Sequence, residues 1–343
     1  MTDGPIVDVQ KLVKVYPGGI RAVSDIDFSV ARGEFFGFLG PNGAGKTTTM
    51  KILATLLRKS SGRAIVAGYD VDRDPMSIRR SIGFAMQEVG LDDLAPGLDF
   101  LVLQGVLYGL SRREARSRAA ELLELVGLTS VAGRKVGTYS GGMRRRVDLV
   151  AALMHNPPLL FLDEPTTGLD PQSRLALWEY LELLNGRGVT IFLTTQMMEE
   201  ADRLCQRIAI IDEGQIVAEG SPRSLKEEVG GDVIRTTFGS DGREEEGAYA
   251  ERAEPLVKER DYVTAVSSAG NSLTITVRDG SAAVPDLLRL LNENSIPVAN
   301  LSMASPTLDD VFLKYTGRTI RAEEATGDET EQVMRPWLGL KRR

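Results

Sequence analysis

The sequence predicts an α/β protein with a mostly parallel sheet core, an antiparallel β subdomain and a helical subdomain, followed by a small α+β domain. Three observations lead there. A glycine-rich loop lies between an apolar strand-like run and a helix-like run. Between residues 159 and 211, continuous apolar segments alternate with helical ones, the pattern of a parallel sheet covered on both faces. Beyond about 231 the pattern changes to shorter strands and two helices.

Residues 6–38 alternate apolar and polar positions in two or three stretches, broken by Pro17-Gly18-Gly19 and Ala31-Arg32-Gly33, which predicts an antiparallel sheet leading into the loop. The run 34–39 reads as a short buried strand. Gly40-Pro41-Asn42-Gly43-Ala44-Gly45-Lys46-Thr47 then matches G-x-x-x-x-G-K-[ST], and 48–57 reads as a helix with Met50, Leu53, Ala54 and Leu57 at helical spacing. Such a loop folds closely around a polyphosphate, with N–H groups and the positive end of the helix dipole toward the anion. Lys46 would reach the β- and γ-phosphates, and the Thr47 hydroxyl would ligate Mg²⁺.

From about 92 to 155 the pattern is helical, with a helix start at Ser111-Arg112-Arg113-Glu114. The alternation resumes with strands at 159–162, 189–193 and 208–211 and helices at 171–186 and 198–204. A break lies at 227–232. Strands follow at 232–238, 262–267, 273–277 and 298–303, with helices at 284–294 and 308–315 and an acidic loop at 241–246. Residues 317–343 are polar and mixed in charge, apart from Trp337-Leu338-Gly339-Leu340.

Of the 343 residues, 26% are charged and 42% hydrophobic, a globular profile with length for two domains. No uncharged apolar run reaches membrane-spanning length, and the first residues lack a signal-peptide pattern, so a cytosolic chain is expected. The single cysteine, Cys205, excludes an internal disulfide and a cysteine-based zinc cluster. The net charge of −7 does not favour a nucleic-acid partner, and none is expected.

Asp163 and Glu164 end the apolar strand at 159–162, where ligand sites of α/β sheets lie. Asp163 would hold Mg²⁺, and Glu164 would polarise the water that attacks the γ-phosphate. Thr138-Tyr139-Ser140-Gly141-Gly142-Met143 opens another helix, with Ser140 as its cap and two glycines that admit an anion. Arg144, Arg145 and Arg146 in its first turns oppose the helix dipole, a conflict that an anion or acidic partner would relieve.

The phosphate loop, Tyr139-Ser140-Gly141-Gly142-Met143, Leu159 to Pro165 and Thr167-Gly168-Leu169-Asp170 together resemble the ATP-binding subunits of ATP-binding cassette (ABC) transporters, over residues 6–225. The resemblance implies a P-loop NTPase cassette that hydrolyses ATP with Mg²⁺. It implies that Gly40 to Thr48 cradle ATP, that Tyr16 stacks on adenine, and that Gln87 senses Mg²⁺ and the membrane partner. By the residues alone, Tyr16 is a core or rim aromatic and Gln87 a surface glutamine. Ser140, Gly141, Gly142 and Met143 would contact the γ-phosphate held by the opposite subunit, and Asp170 would join the dimer interface. Gln196 follows Thr194-Thr195 where the family usually has a switch histidine; its amide can orient the base and γ-phosphate but carries no titrating charge. The only histidine, His155, reads as a helix-end cap.

Thr194-Thr195-Gln196, the signature run through Arg146 and the ending Thr307 to Gly317 are similar to the daunorubicin/doxorubicin-resistance group of drug-export ATPases. The implied organisation is an ATP-binding domain over 1–230, with its helical subdomain at about 88–155, a small α+β domain over 231–317 and a flexible tail over 318–343. The implied assembly is a homodimer around two Mg-ATP, at the cytoplasmic face of the cell membrane, driving a separate polytopic permease that exports a drug-like or other hydrophobic compound. Related ATPases export lipids, polysaccharides or ions, and a soluble cassette ATPase acting on nucleic acid or ribosomes is the competing reading.

Overall fold

A computed structural model of the chain describes residues 4–86, 90–239 and 248–316. Gln87, the acidic loop 241–246 and the segment 317–343 lie outside the described residues. The chain divides into two compact units, one reaching Pro222 and the next beginning at Arg223. The division precedes residue 230 because the helix Pro222–Val229 is tied to the second unit: Lys314 Nζ donates to the Glu228 carbonyl and the Tyr315 hydroxyl to Glu228 Oε2.

In the first unit the strands are β1 (Val7–Val15), β2 (Arg21–Val30), β3 (Phe35–Leu39), β4 (Ser61–Val66), β5 (Tyr69–Asp70), β6 (Ile82–Ala85), β7 (Leu159–Asp163), β8 (Thr190–Thr195), β9 (Arg207–Asp212) and β10 (Gln215–Gly220). They form an antiparallel sheet ordered β2-β1-β4-β5 and a second sheet ordered β10-β9-β3-β8-β7-β6. Within the second sheet only the β9–β10 pair runs antiparallel. Every residue of β3, β7 and β8 is buried, as continuous apolar strands in a covered sheet require. The two sheets meet through an aromatic cluster. Phe28 of β2 lies 5.4–6.0 Å, between ring centroids, from Phe36, Phe38 and Phe192, and Phe161 lies 5.4 Å from Phe192.

The helix after the phosphate loop spans Lys46–Leu53, starting two residues earlier and ending four earlier than the apolar spacing predicts. Gly45, at φ 105°, caps its start, and Thr55, at φ 61°, lies in the left-handed region just beyond its end. The helical subdomain contains Gly97–Leu107, Arg112–Leu125 and Gly141–Ala151. Ser111 and Glu114 form the predicted reciprocal capping box.

The second unit has strands β11 (Asp232–Phe238), β12 (Val263–Ala269), β13 (Ser272–Val277) and β14 (Val298–Ala304), ordered β12-β13-β11-β14 and antiparallel throughout. The helix Ala248–Lys258 lies between β11 and β12, and Gly280–Glu293 between β13 and β14, giving the β-α-β-β-α-β order of a split βαβ fold. The sequence pattern does not predict the helix Ala248–Lys258; between 238 and 262 it shows only an acidic loop. Among the described residues no helix is long and apolar enough to cross a membrane.

Phe192 is fully buried and touches four other aromatic rings. Phe192→Ala should cost about 3 kcal/mol or more, because removing a buried aromatic ring leaves a cavity that its neighbours fill only in part. Denaturant titration following Trp178 fluorescence in a Trp337→Phe background measures the loss.

Candidate functional site

The phosphate loop leaves the carboxyl end of β3, between β8 and β9. Two of its glycines are required sterically. A Cβ on Gly40 would stand 2.2 Å from the Ile211 carbonyl oxygen, and one on Gly45 would stand 2.4 Å from that of Ala22. No side chain caps the helix that follows, which leaves its first N–H groups available to an anion. Lys46, 4% exposed, bends back over the loop; its Nζ donates to the carbonyls of Gly40 (2.7 Å) and Pro41 (2.9 Å) and lies 3.3 Å from Glu164 Oε1. Burial lowers the Lys46 pKa against the opposing pull of Glu164 and Asp163.

Register brings the partners to this loop. In the parallel pairing Asp163 of β7 stands opposite Thr194 of β8, and Leu39 of β3 stands opposite Thr195. The hydroxyls of Thr47 (3.0 Å) and Thr194 (2.6 Å) both donate to Asp163 Oδ1. A hydroxyl and a carboxylate on one point, beside a phosphate loop, fit Mg²⁺, which takes oxygen ligands and relies on substrate phosphates and water for the remainder. Glu164, the next residue, is non-glycine with φ 44°, and its N–H donates to the Thr194 carbonyl (3.0 Å). The Thr167 hydroxyl reaches its Oε2 at 3.4 Å.

The other expected residues divide into those the structure gathers and those it leaves apart. Tyr16 is half-buried beside the loop helix, its hydroxyl 3.3 Å from that of Thr48, with Lys14 Nζ 5.2 Å from its ring centroid. Gln196 follows β8 directly, and its Oε1 is buried without a hydrogen-bond partner among the described residues. Ser140 caps Gly141–Ala151, accepting from Met143 N–H (3.3 Å). Asp170 caps Pro171–Gly186 through Ser173. Gln87 lies outside the described residues.

One local expectation is met and another needs correcting. The arginines after Met143 find acidic partners within the chain, Asp93 and Asp148, together with main-chain carbonyls. Arg144 Nη1 pairs with Asp93 (2.6 Å), Arg146 Nη1 donates to the Val126 carbonyl (2.8 Å), and Arg145 is buried against main-chain carbonyls and Asp148. Apart from Asp148, three residues on from Arg145, these acceptors come from segments distant in sequence, which local pattern does not reveal. His155 does not cap the helix it follows. Its Nε2 lies 3.0 Å from the Ile82 carbonyl at the start of β6, and its ring stacks on Tyr108 at 3.8 Å. Thr194, which the sequence offered only as a marker of the switch position, proves to hold both Asp163 and the Glu164 main chain.

A glycine loop running from a central strand into an uncapped helix, with a metal-fitting carboxylate and a second carboxylate at a strand end of the same sheet, is the site of a phosphate-loop nucleotide hydrolase. Comparison with known proteins is specific. Residues 23–167 match the family model described as ABC transporter, and residues 220–316 match the one described as ATP-binding protein DrrA1-3-like, C-terminal domain. The daunorubicin resistance ATP-binding protein DrrA2 of Streptomyces coeruleorubidus is 42% identical over 94% of this chain and 98% of its own. The doxorubicin resistance ATP-binding protein DrrA of Mycobacterium tuberculosis is 44% identical over 92% of this chain and 94% of its own. Among solved structures, the dimeric post-hydrolysis state of the ATP-binding cassette MJ0796, bound to ADP and Pi, matches with a TM-score of 0.58 and 28% identity, over 63% of this chain and 98% of that one. The chain belongs to the DrrA-like ATP-binding proteins of ABC transporters. It is an ATPase that uses ATP and Mg²⁺, and subunits of this kind dimerise and work with a membrane permease.

Two variants separate binding from turnover. Glu164→Gln should retain ATP binding and slow phosphate release about 10²-fold, since a general base commonly contributes that much. Gln196→Ala should lower turnover while leaving thermal stability unchanged or raised, because it removes a buried acceptor with no partner; calorimetry beside steady-state kinetics measures both.

Proposed function

We propose that two copies of this chain close around two ATP molecules at the cytoplasmic face of the membrane and drive a separate polytopic permease that exports a drug-like hydrophobic compound. The observation that carries the export reading is the reach of the similarity. Relatives named for daunorubicin and doxorubicin resistance match over 92–94% of the chain, through both units, whereas the solved cassette accounts for 63% of it. The resemblance therefore includes the C-terminal domain, which a general nucleotide-binding role leaves unexplained.

The geometry supports a division of labour. Gly40 to Thr48 enclose the phosphates, and Tyr16, at the rim beside Thr48, supplies a face for the adenine. Mg²⁺, held by Thr47 and Asp163, would neutralise charge on the β- and γ-phosphate oxygens. Lys46 now bonds two carbonyls and Glu164, and a polyphosphate in the loop competes for the same ammonium. Its transfer to the phosphates would release the Glu164 carboxylate to accept a proton from the attacking water. Gln196 presents an acceptor that lacks a donor and an amide N–H₂, a pair suited to orienting that water and the γ-phosphate. Ser140 to Met143, at a helix start where Ser140 and Gly141 are exposed, would complete the site of the second copy.

If the site is shared between copies, inactive Lys46→Ala chains mixed with inactive Ser140→Arg chains should regain part of the parental turnover, since each mixed dimer keeps one intact site. A mixture that stays inactive although mixed dimers form argues against shared sites. Copurification from detergent with a polytopic membrane protein, together with raised sensitivity to a hydrophobic antibiotic when the gene is deleted, tests the export reading.

A further inference from the structure

Arg145 lies on the helix that Ser140 caps, yet points away from any external ligand: it is 4% exposed. Its guanidinium distributes donors among three separate stretches of chain. Nε donates to the Pro165 carbonyl (2.8 Å), Nη2 to the Asp163 carbonyl (3.2 Å), and Nη1 to the Met86 carbonyl and Asp148 Oδ2 (3.3 Å). Asp163 and Pro165 are the two neighbours of Glu164, so one side chain grips the main chain on both sides of that carboxylate.

The grip matters because of the backbone it holds. Glu164 occupies the left-handed region, a conformation that costs a non-glycine residue free energy and persists only where its surroundings over-determine it. Thr194 holds the Glu164 N–H from the sheet side. Arg145 holds the two flanking carbonyls from the helical side. A buried guanidinium is costly unless it is paired and fully hydrogen-bonded, and Asp148 supplies the pairing. Burial lowers the Arg145 pKa and raises the Asp148 carboxyl to about 6, both against their mutual attraction. A surface arginine would meet none of that cost, so retaining a buried one here calls for a task at the turn.

We propose that Arg145 is a positioning residue for hydrolysis, fixing the turn that carries Glu164 to the helix whose start, Ser140 to Met143, would face the second copy. The proposal rests on the reading of Glu164 as the base. It makes the position of that carboxylate dependent on the position of the Ser140-capped helix, through a planar fork that a lysine cannot reproduce.

The test is Arg145→Lys in the full-length chain, measured by phosphate release, equilibrium ATP binding and thermal unfolding. The ammonium can keep one carbonyl but cannot span Pro165, Asp163 and Met86 together. Expected is a fall in kcat of about ten- to a hundredfold, as for misplacement of a reacting group, with KM for ATP changed by less than about threefold. A second variant guards against an unpaired buried carboxylate: Arg145→Met with Asp148→Leu removes both charges at once, which a folded core tolerates. It should remain folded and bind ATP while its kcat falls as far. Parental kcat in either folded variant overturns the proposal, as does a loss of kcat that tracks a loss of folded protein. Glu164→Gln assayed in parallel separates the two readings: parental turnover there overturns the base assignment and the positioning role with it, whereas slowed turnover there beside parental kcat in Arg145→Lys overturns the positioning role alone.

Discussion

The pairing of β7 with β8 is the constraint on which the site depends. Parallel strands in register place Asp163 opposite Thr194, and the next strand over places Leu39 opposite Thr195. With these three ends level, the phosphate loop, the carboxylate pair and Gln196 meet along one edge of the sheet. A slip of one residue would turn Asp163 to the other face of the sheet and part its carboxylate from the hydroxyls of Thr47 and Thr194. The aromatic cluster of Phe28, Phe36, Phe38, Phe161 and Phe192 resists such a slip, because each ring fills space shaped by the others.

Around this rigid edge the polar groups are held in a waiting arrangement. Lys46 is buried and paired with Glu164, and Asp163 accepts from two hydroxyls. Each of these contacts satisfies a buried charge that would otherwise be costly. Each is also replaceable by phosphate oxygen or metal, so ligand binding exchanges one satisfied set for another instead of creating a new pocket. Gln196 Oε1 and the Glu164 backbone are exceptions: an acceptor without a donor and a residue in a strained conformation. Both follow strand ends on the edge that carries the phosphate loop, Glu164 after β7 and Gln196 after β8, and strained or unsatisfied groups commonly cluster at such functional edges.

The helical subdomain reaches the same edge by a different chemistry. Its contact with the Asp163–Pro165 turn is a guanidinium on carbonyl oxygens, directional and dependent on position. Beside the guanidinium contacts of Arg144 and Arg146, its interior is apolar, as at Ala115, Ala119, Leu122 and Leu123. Apolar contacts tolerate small sliding, whereas a forked hydrogen-bond set does not, so movement of this subdomain would be felt at Glu164 more sharply than in the core.

The sequence by itself determined the α/β class, the loop with its lysine and threonine, the Asp163–Glu164 pair, the Ser111 and Ser140 caps and the strands of the second unit. These are local patterns, readable because a glycine loop, a capping box or an apolar strand is defined by neighbours in the chain. Even there the apolar spacing overruns the end of the loop helix, since Leu57 keeps the spacing while Thr55 has already left the helical conformation. Tertiary structure alone decided the roles of Thr194, Arg144, Arg145, Arg146 and His155. Apart from Asp148, three residues on from Arg145, their partners are main-chain carbonyls or side chains far along the chain, and a carbonyl has no identity in sequence. Which carbonyl a buried donor finds depends on strand order and helix placement, and those are properties of the folded chain as a whole.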